Sequence, residues 1–161
     1  MRTIVFVRHG KSSWEFNVND QDRPLKERGI NDAHLVANKL KSSKVNIDYA
    51  FSSPANRALH TGMIFLRNLE FDLNKLLVSK DLYDFSGESV LRFLKELNDK
   101  HKTILVFGHN YALTTLVNTL GDRYIENVPT SGLIQIEFEI DSWERIAKGK
   151  TTQVIFPKEL R

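Results

Sequence analysis

The sequence contains two similar segments, each of which is an apolar run that closes on a histidine. Residues 3–10 and 103–110 align without a gap and place His9 and His109 at matching positions, with Arg8 before the first of them. An imidazole can act as a nucleophile or donate a hydrogen bond to a developing charge. A guanidinium binds phosphoryl oxygens in bidentate fashion. These residue types therefore indicate chemistry on a phosphoryl group.

The apolar runs before the two histidines predict the elements that position them. A short β-branched run without polar interruptions is typical of a strand buried on both faces, as in a parallel sheet under helices. If both strands lie in one parallel sheet, His9 and His109 emerge at its carboxyl edge, where open α/β sheets bind ligands. The alternative is two unrelated core strands that end in histidine. The matching positions and the adjacent Arg8 favour a shared site.

A second arginine follows another predicted strand, at residues 46–51. Ser53 is a plausible helix N-cap with Pro54 at the first helical position, where its missing N–H costs nothing. Arg57 then falls in the first turn, where free amides and the helix dipole favour an anion. The alternative is an arginine on an exposed helix face. Its position after a strand and a Ser-Pro pair favours the anion site.

The rest of the chain alternates predicted helices and strands. Helices are expected over residues 26–41, 54–69, 88–100 and 111–120, and further strands over residues 76–80, 133–140 and 152–156. The strict alternation in residues 133–140 predicts a strand with one exposed face near a sheet edge. The order predicts an α/β fold, a three-layer α/β/α sandwich with a mainly parallel central sheet. We expect one domain over residues 1–161.

The amino-acid composition of the chain disfavours several classes of function. The chain of 161 residues has 41% hydrophobic residues, no cysteine and a formal net charge of +3, with its lysines and arginines dispersed. Dispersed basic residues argue against a nucleic-acid partner but suit an anionic substrate. No apolar run has the length of a membrane span or a signal peptide. We expect a cytoplasmic monomer without a membrane partner.

Three motifs in this order resemble the histidine phosphatase superfamily, also called phosphoglycerate-mutase-like. They are Arg-His-Gly at residues 8–10, Ser-Ser-Pro-x-x-Arg-Ala-x-x-Thr at residues 52–61 and Gly-His-Asn at residues 108–110. The short length, Lys-Ser-Ser-Trp at residues 11–14 and Asp-Arg-Pro-Leu-x-x-Arg-Gly at residues 22–29 are similar to the small SixA-type phosphohistidine phosphatases in particular. The resemblance implies the same layered fold.

The resemblance also implies roles for individual residues. His9 would be the nucleophile that becomes transiently phosphorylated. The phosphate pocket would be formed by the remaining matched residues, which are Arg8, Arg57, His109 and the backbone amide of Asn110. We expect Ser12 to shape the pocket mouth and contact the substrate. The expected activity is that of a phosphohistidine phosphatase or phosphoric monoester hydrolase. Its substrate would be a phosphorylated protein of the histidine-phosphotransfer type or a small phosphorylated molecule.

No metal or other cofactor is expected, because the arginines supply the positive charge that a metal brings elsewhere. The proton donor is a departure from the family pattern. Larger relatives have a glutamate in a Leu-x-Glu setting, where this chain has Leu-Tyr-Asp at residues 82–84. Asp84 is the candidate acid, and Glu88, Asp81 or no acid at all are alternatives. A leaving imidazole, with a conjugate-acid pKa of roughly 6.5, departs far more readily than an alkoxide. An enzyme for P–N bonds could therefore work without a strong acid.

Three other functions are compatible with parts of the pattern. A phosphomonoesterase or mutase of the same superfamily would act on small molecules, and such relatives usually carry longer insertions over the site. A non-catalytic phosphate-binding module would need the arginines but not an imidazole placed like that of His9. A metal-dependent hydrolase could use His9, His109 and a carboxylate, but the arginines would repel a cation at close range.

Overall fold

The strands form a single mixed sheet of six strands. In the computed structural model, which describes residues 1–161, the strand order is β3-β2-β4-β1-β5-β6. The strands are β1 Arg2–Arg8, β2 Tyr49–Ser52, β3 Leu76–Val78, β4 Thr103–Gly108, β5 Leu133–Phe138 and β6 Lys150–Ile155. The first four pair in parallel, and β5 and β6 are antiparallel. The predicted mainly parallel sheet is confirmed.

Four helices cover the two faces of this sheet. They are α1 Glu27–Ser42, α2 Asn56–Asn68, α3 Glu88–Lys95 and α4 Ala112–Leu120. One hydrophobic core contains residues of α1 and α2, such as Val36 and Phe65. The other contains residues of α3 and α4, such as Leu94 and Leu113. Two cores on opposite sheet faces make the predicted three-layer α/β/α sandwich. None of the helices is both long enough and apolar enough to cross a membrane.

Strand β1 contributes to both cores. Ile4 and Phe6 belong to the core under α3 and α4, and Val5 and Val7 to the core under α1 and α2. All four side chains are fully buried, because successive side chains of a strand point to opposite sheet faces. Full burial of one such side chain stabilises the fold by about 1.5–3 kcal/mol. The unbroken apolar run before His9 is thus explained by burial on both faces.

Several predicted boundaries are wrong. Helix α2 begins at Asn56 rather than Pro54, and α3 ends at Lys95 rather than near residue 100. The predicted exposed face of β5 is also wrong, because Leu133 and Gln135 on that face are buried and Glu137 is half-buried. The side-chain oxygen of Gln135 accepts a hydrogen bond from Gln153 of β6. The predicted position of β5 near the sheet edge is confirmed, since only β6 lies outside it.

Candidate active site

The two histidines meet at the carboxyl edge of the sheet. Strands β1 and β4 pair in parallel with Arg8 opposite Gly108, so the next residues, His9 and His109, leave the sheet side by side. The backbone N–H of His9 donates to the Gly108 carbonyl at 3.1 Å. The two imidazole centroids are 5.2 Å apart. The register of this one strand pair therefore creates the juxtaposition.

Helix α2 brings Arg57 to the same edge through Thr61. The Gly10 N–H donates to Thr61 Oγ1 at 2.9 Å, and this hydroxyl donates to the Arg57 carbonyl at 2.7 Å. Arg57 and Thr61 are buried. The hydrogen bonds connect the loop after β1 to the first turns of α2 and fix the position of Arg57 relative to His9.

A cavity of about 290 Å³ opens at this point of the surface. Its lining includes Arg8, His9, Ser12, Asp20, Arg23, Arg57 and Phe85. A larger cavity, of about 400 Å³, lies where the chain enters β2 and β3 and is lined by no histidine. The smaller cavity is therefore the candidate active site, because it combines an imidazole with three guanidinium groups.

The hydrogen bond of His9 determines its tautomer. Its Nδ1 lies 2.7 Å from the Gly10 carbonyl oxygen. Because a carbonyl only accepts, Nδ1 carries the proton and Nε2 keeps its lone pair. Burial lowers the pKa of His9 to about 3, against the smaller opposing effect of the Gly10 hydrogen bond, and the nearby His109, Arg8 and Arg57 lower it further. His9 is therefore a neutral imidazole with a free Nε2 at pH 7.

His109 lies deeper than His9. Its side chain is buried under Phe85 and Tyr83, whose ring centroids lie 5.0 and 5.3 Å from the imidazole. Phe85 forms part of the cavity wall, and His109 does not. Nε2 of His109 lies 2.8 Å from Ser53 Oγ, and its Nδ1 is buried without a partner in the chain. Burial, followed by the charge of Arg57, lowers the pKa of His109 to about 3.

Ser53 does not occupy the predicted helix-cap position. The N-cap of α2 is Ala55, and Ser53 Oγ accepts from the Ala55 N–H at 3.2 Å. Its only other partner is Nε2 of His109. The proton of the buried Ser53 hydroxyl has no acceptor other than Nε2 of His109, so the hydroxyl donates to that nitrogen. Ser53 therefore holds His109 in the tautomer that is protonated at Nδ1.

The two predicted arginines keep free donors after their own contacts are made. Arg8 Nη1 donates to the Val128 carbonyl at 2.9 Å. Arg57 donates from Nη1 to the Asp20 carbonyl at 2.6 Å and from Nη2 to Asp20 Oδ2 at 2.8 Å. The Nε atoms of both arginines are buried without a partner in the chain. Since a guanidinium has five N–H groups, both side chains can donate to an anion.

No role for Asp20 is predicted from the sequence, because residues 17–23 resemble an ordinary surface loop. Its Oδ2 also accepts from the Tyr83 hydroxyl at 2.5 Å, and its Oδ1 accepts from Arg23 Nη1 at 3.1 Å. Partial burial raises the pKa of this carboxyl. The hydrogen bonds from Tyr83, Arg57 and Arg23 outweigh that effect and hold the pKa well below its usual range. Asp20 is therefore ionised at pH 7.

Arg23 organises the mouth of the cavity. It donates from Nη2 to Ser12 Oγ at 2.5 Å and from Nε to the Ser13 carbonyl at 3.1 Å. Its guanidinium carbon lies 3.3 Å from the ring centroid of Trp14, which is 77% exposed. Ser12, as predicted, lines the cavity, but its hydroxyl is already held by Arg23.

Asn110 follows His109 directly at the edge of the sheet. Its backbone N–H, the predicted extra donor, donates to no group of the chain, but Asn110 is absent from the cavity lining. Its side-chain oxygen accepts from Thr114, and its amide nitrogen donates to Asn127 at 2.6 Å. The side chain of Asn110 therefore stabilises the start of α4, and only its main chain is left for a ligand.

Asp84 is not placed as a proton donor. Its carboxylate accepts from the N–H groups of Ser86, Gly87 and Val90, each at 3.0 Å, and from the Ser86 hydroxyl. Burial raises the pKa of Asp84, but these hydrogen bonds together lower it. Stabilising the ionised form is the opposite of what an acid requires. The structure instead makes Asp84 a cap for the start of α3, and it is absent from the cavity lining.

The two alternatives to Asp84 are not in the cavity lining either. Asp81 lies in a short 3-10 turn, Lys80–Leu82, and Glu88 is the exposed first residue of α3. The chain also contains no group of three or more histidine, aspartate or glutamate side chains that could hold a metal ion. The cavity thus offers nucleophile and anion donors without a protonated carboxyl group.

Known proteins are similar to this chain in sequence over half of its length or more. The family model described as "Histidine phosphatase superfamily (branch 1)" matches residues 4–89, which is more than half of the chain. An uncharacterised protein of Mycobacterium tuberculosis is 29% identical over 137 residues, which are 79% of this chain and 84% of that protein. A 2,3-bisphosphoglycerate-dependent phosphoglycerate mutase of Bradyrhizobium is 34% identical over 94 residues, which are 53% of this chain and 45% of the mutase.

Solved structures match the whole fold. The protein histidine phosphatase SixA, in complex with tungstate, superposes with a TM-score of 0.84 at 25% identity and covers 99% of each chain. A protein from Agrobacterium tumefaciens designated phosphohistidine phosphatase SixA gives a TM-score of 0.81 at 21% identity, over 97% of this chain and 98% of that one. The sequence motifs, the edge-of-sheet histidines and these matches agree, and the chain belongs to the histidine phosphatase superfamily.

Proposed function

We propose that the chain is a phosphatase that removes the phosphoryl group from phosphohistidine on a protein, through a transient phosphohistidine on His9. The observation that carries this proposal is the Nδ1 hydrogen bond of His9 to the Gly10 carbonyl, which leaves a neutral Nε2 beside Arg8 and Arg57. A lone pair among guanidinium groups suits attack on a phosphorus whose oxygens are negatively charged.

The first step transfers the phosphoryl group to the enzyme. Nε2 of His9 attacks phosphorus, and the bond between phosphorus and the substrate nitrogen breaks with its electron pair on that nitrogen. Arg8 and Arg57 donate to the non-bridging oxygens. We assign the buried Nδ1–H of His109, which has no partner in the chain, to the same oxygens. Charge that is spread over these oxygens is thereby stabilised.

The second step releases phosphate. Water attacks the phosphorus of phospho-His9, the P–N bond breaks, and its electron pair returns to Nε2. Both protons of the water end on phosphate oxygens, so that dihydrogen phosphate leaves and the neutral imidazole, still protonated at Nδ1, is restored. No residue other than His9 changes its covalent state.

Phosphohistidine is favoured over phosphate esters because the cavity contains no protonated acid. Asp84 caps α3, and Asp20 is ionised. An alkoxide leaves only when it is protonated. A substrate ring that is already protonated on its other nitrogen leaves as neutral imidazole, whose conjugate-acid pKa is roughly 6.5, without such help. The mouth of the cavity is also bordered by exposed aromatic side chains, Trp14 and Phe85. Such a border suits a histidine carried on a protein surface. We further propose a monomer acting in the cytoplasm.

The test is to trap the intermediate. The protein is mixed with chemically phosphorylated histidine, and the reaction is quenched in base. We expect phosphate that is stable in base and labile in acid on His9 of the wild type, and none on His9→Asn. His60→Asn is the matched control, because His60 lies exposed on α2 outside the cavity lining. Labelling that persists in His9→Asn would contradict the proposal.

The substrate class is tested by comparing rates. Phosphate release is measured from a phosphohistidine-bearing protein, a sugar phosphate and p-nitrophenyl phosphate. We expect the phosphohistidine protein to give the highest kcat/KM. A higher kcat/KM on the sugar phosphate would instead favour a small-molecule phosphomonoesterase, and binding of phosphate without turnover of any substrate would favour a binding module.

A further inference from the structure

Asp20 is the only carboxylate among the side chains that line the cavity. Its oxygens accept from Arg57, Arg23 and Tyr83, which fix its position. Its side chain is nevertheless 40% exposed, so a bound molecule can reach it. A carboxylate repels the phosphoryl oxygens themselves, because like charges repel. Beyond holding Arg57 and Arg23, its exposed part is therefore suited to the other half of the substrate.

We propose that Asp20 is a specificity-determining residue, which selects phosphorylated imidazole over phosphate esters by accepting a hydrogen bond from the N–H of the departing ring. The inference deepens the proposed function and rests on it. It assigns to Asp20 a contact with the leaving group, whereas Arg8 and Arg57 contact the phosphoryl group.

The electron balance of the P–N bond explains why an acceptor is useful here. The reactive substrate ring is the protonated, positively charged form, which holds phosphorus on one nitrogen and a proton on the other. When His9 attacks, the electron pair of the broken bond stays on the first nitrogen, and the ring leaves as neutral imidazole that keeps its proton. No proton has to be supplied. An ionised carboxylate next to the N–H favours the protonated ring and hence the neutral leaving group.

The same carboxylate disfavours an ester. There the electron pair moves to an oxygen, which becomes negative and must be protonated or stabilised by positive charge. Asp20 has no proton to give, because three donors stabilise its ionised form. Its charge also raises the energy of a nearby developing oxyanion. Discrimination thus arises in the transition state, where the two leaving groups differ in charge.

The experiment compares two substrates in two variants. The kcat/KM is measured at pH 7 for phosphohistidine and for p-nitrophenyl phosphate, with wild type, Asp20→Asn and Asp22→Asn. The asparagine keeps the shape and one acceptor but loses the charge. Asp22 is the matched control, since it is an exposed aspartate of the same 3-10 turn, Asp20–Asp22, and does not line the cavity.

We expect Asp20→Asn to lower kcat/KM for phosphohistidine by about 10-fold or more, as for loss of a charged hydrogen bond. The kcat/KM for p-nitrophenyl phosphate should be unchanged or higher, and Asp22→Asn should match wild type on both. An equal loss on both substrates would show that Asp20 only positions Arg57 and would overturn the inference. A wild type that neither cleaves phosphohistidine nor becomes phosphorylated on His9 would overturn the proposed function with it.

Discussion

The imidazoles of His9 and His109 lie with their centroids 5.2 Å apart, and the ring nitrogens left without a partner differ because their hydrogen bonds differ. Gly10 holds the proton of His9 on Nδ1 and leaves Nε2 as a nucleophile. Ser53 donates to Nε2 of His109 and leaves the Nδ1–H as a donor. The Gly10 carbonyl thus leaves a lone pair on one imidazole, and the Ser53 hydroxyl leaves an N–H donor on the other.

The first prediction concerns Ser53. Ser53→Ala removes the hydroxyl that fixes the tautomer of His109, and we expect kcat to fall by about 10-fold with little change in KM, since one hydrogen bond of about 1.5 kcal/mol is involved. The 15N chemical shifts of the His109 ring should report Nδ1–H in the wild type. Ser52→Ala is the control, because the Ser52 hydroxyl donates only to a carbonyl. Nε2–H in the wild type would contradict the assignment.

The second prediction concerns Arg57. Arg57→Ala should lower kcat/KM by about 100-fold or more, which is typical of removing one donor to the charge of a transition state. Arg57→Lys should restore little of the lost kcat/KM, because a lysine ammonium group cannot bind Asp20 and a phosphoryl oxygen at the same time. Arg67→Ala, on an exposed part of α2, should match wild type. Steady-state kinetics measures all three, and full recovery by lysine would count against the bidentate role.

The third prediction concerns acid stability. Burial lowers the pKa of His9 and of His109 to about 3, below the roughly 6.5 of an unfolded histidine. Between these values the unfolded chain binds more protons than the folded chain, so the free energy of unfolding decreases as pH falls from about 6.5 towards 3. The slope is up to about 1.4 kcal/mol per pH unit for each histidine.

Urea unfolding at a series of pH values checks this, with His109→Gln compared with the wild type. The variant should show a smaller loss of stability across the same window. His34→Gln provides the control, because this histidine lies on α1 away from the cavity. An unchanged slope in His109→Gln would show that the ring is protonated in the folded protein.

The fourth prediction separates stability from catalysis at Asp84. Asp84→Ala removes an acceptor from three backbone N–H groups at the start of α3, and should lower the free energy of unfolding by about 1–3 kcal/mol. Well below the melting temperature, kcat/KM should stay within about 3-fold of wild type on phosphohistidine. Asp81→Ala serves as the control. Lost activity with unchanged stability would restore the role of Asp84 as an acid.

The sequence predicted the parts of the site that follow from strand ends. His9, His109 and Arg57 come directly after buried strands or at a helix start. The parallel pairing of β1 with β4 brings the two histidines together, and α2 carries Arg57 to the same edge. Such positions are fixed by the backbone, so the motif order and hydrophobic pattern are sufficient. Their proposed roles stay predictions until the experiments above are done.

Asp20 and Asp84 could not be assigned in this way, because their roles depend on which donors their side chains meet. Asp20 contacts Arg57 and Tyr83, which lie far from it in the chain. Asp84 did carry a usable signal, since Asp-Phe-Ser-Gly at residues 84–87, followed by a helical pattern, is typical of a local capping turn. The resemblance of residues 82–84 to the Leu-x-Glu of larger relatives favoured a role of Asp84 as an acid instead.

Strand β1 belongs to both hydrophobic cores and is followed directly by His9, the residue proposed to attack phosphorus. Any event that loosens either helical layer therefore displaces the nucleophile as well. Partially unfolded forms of this protein should be inactive rather than active on other substrates. Loss of activity should therefore be detectable before the whole chain unfolds.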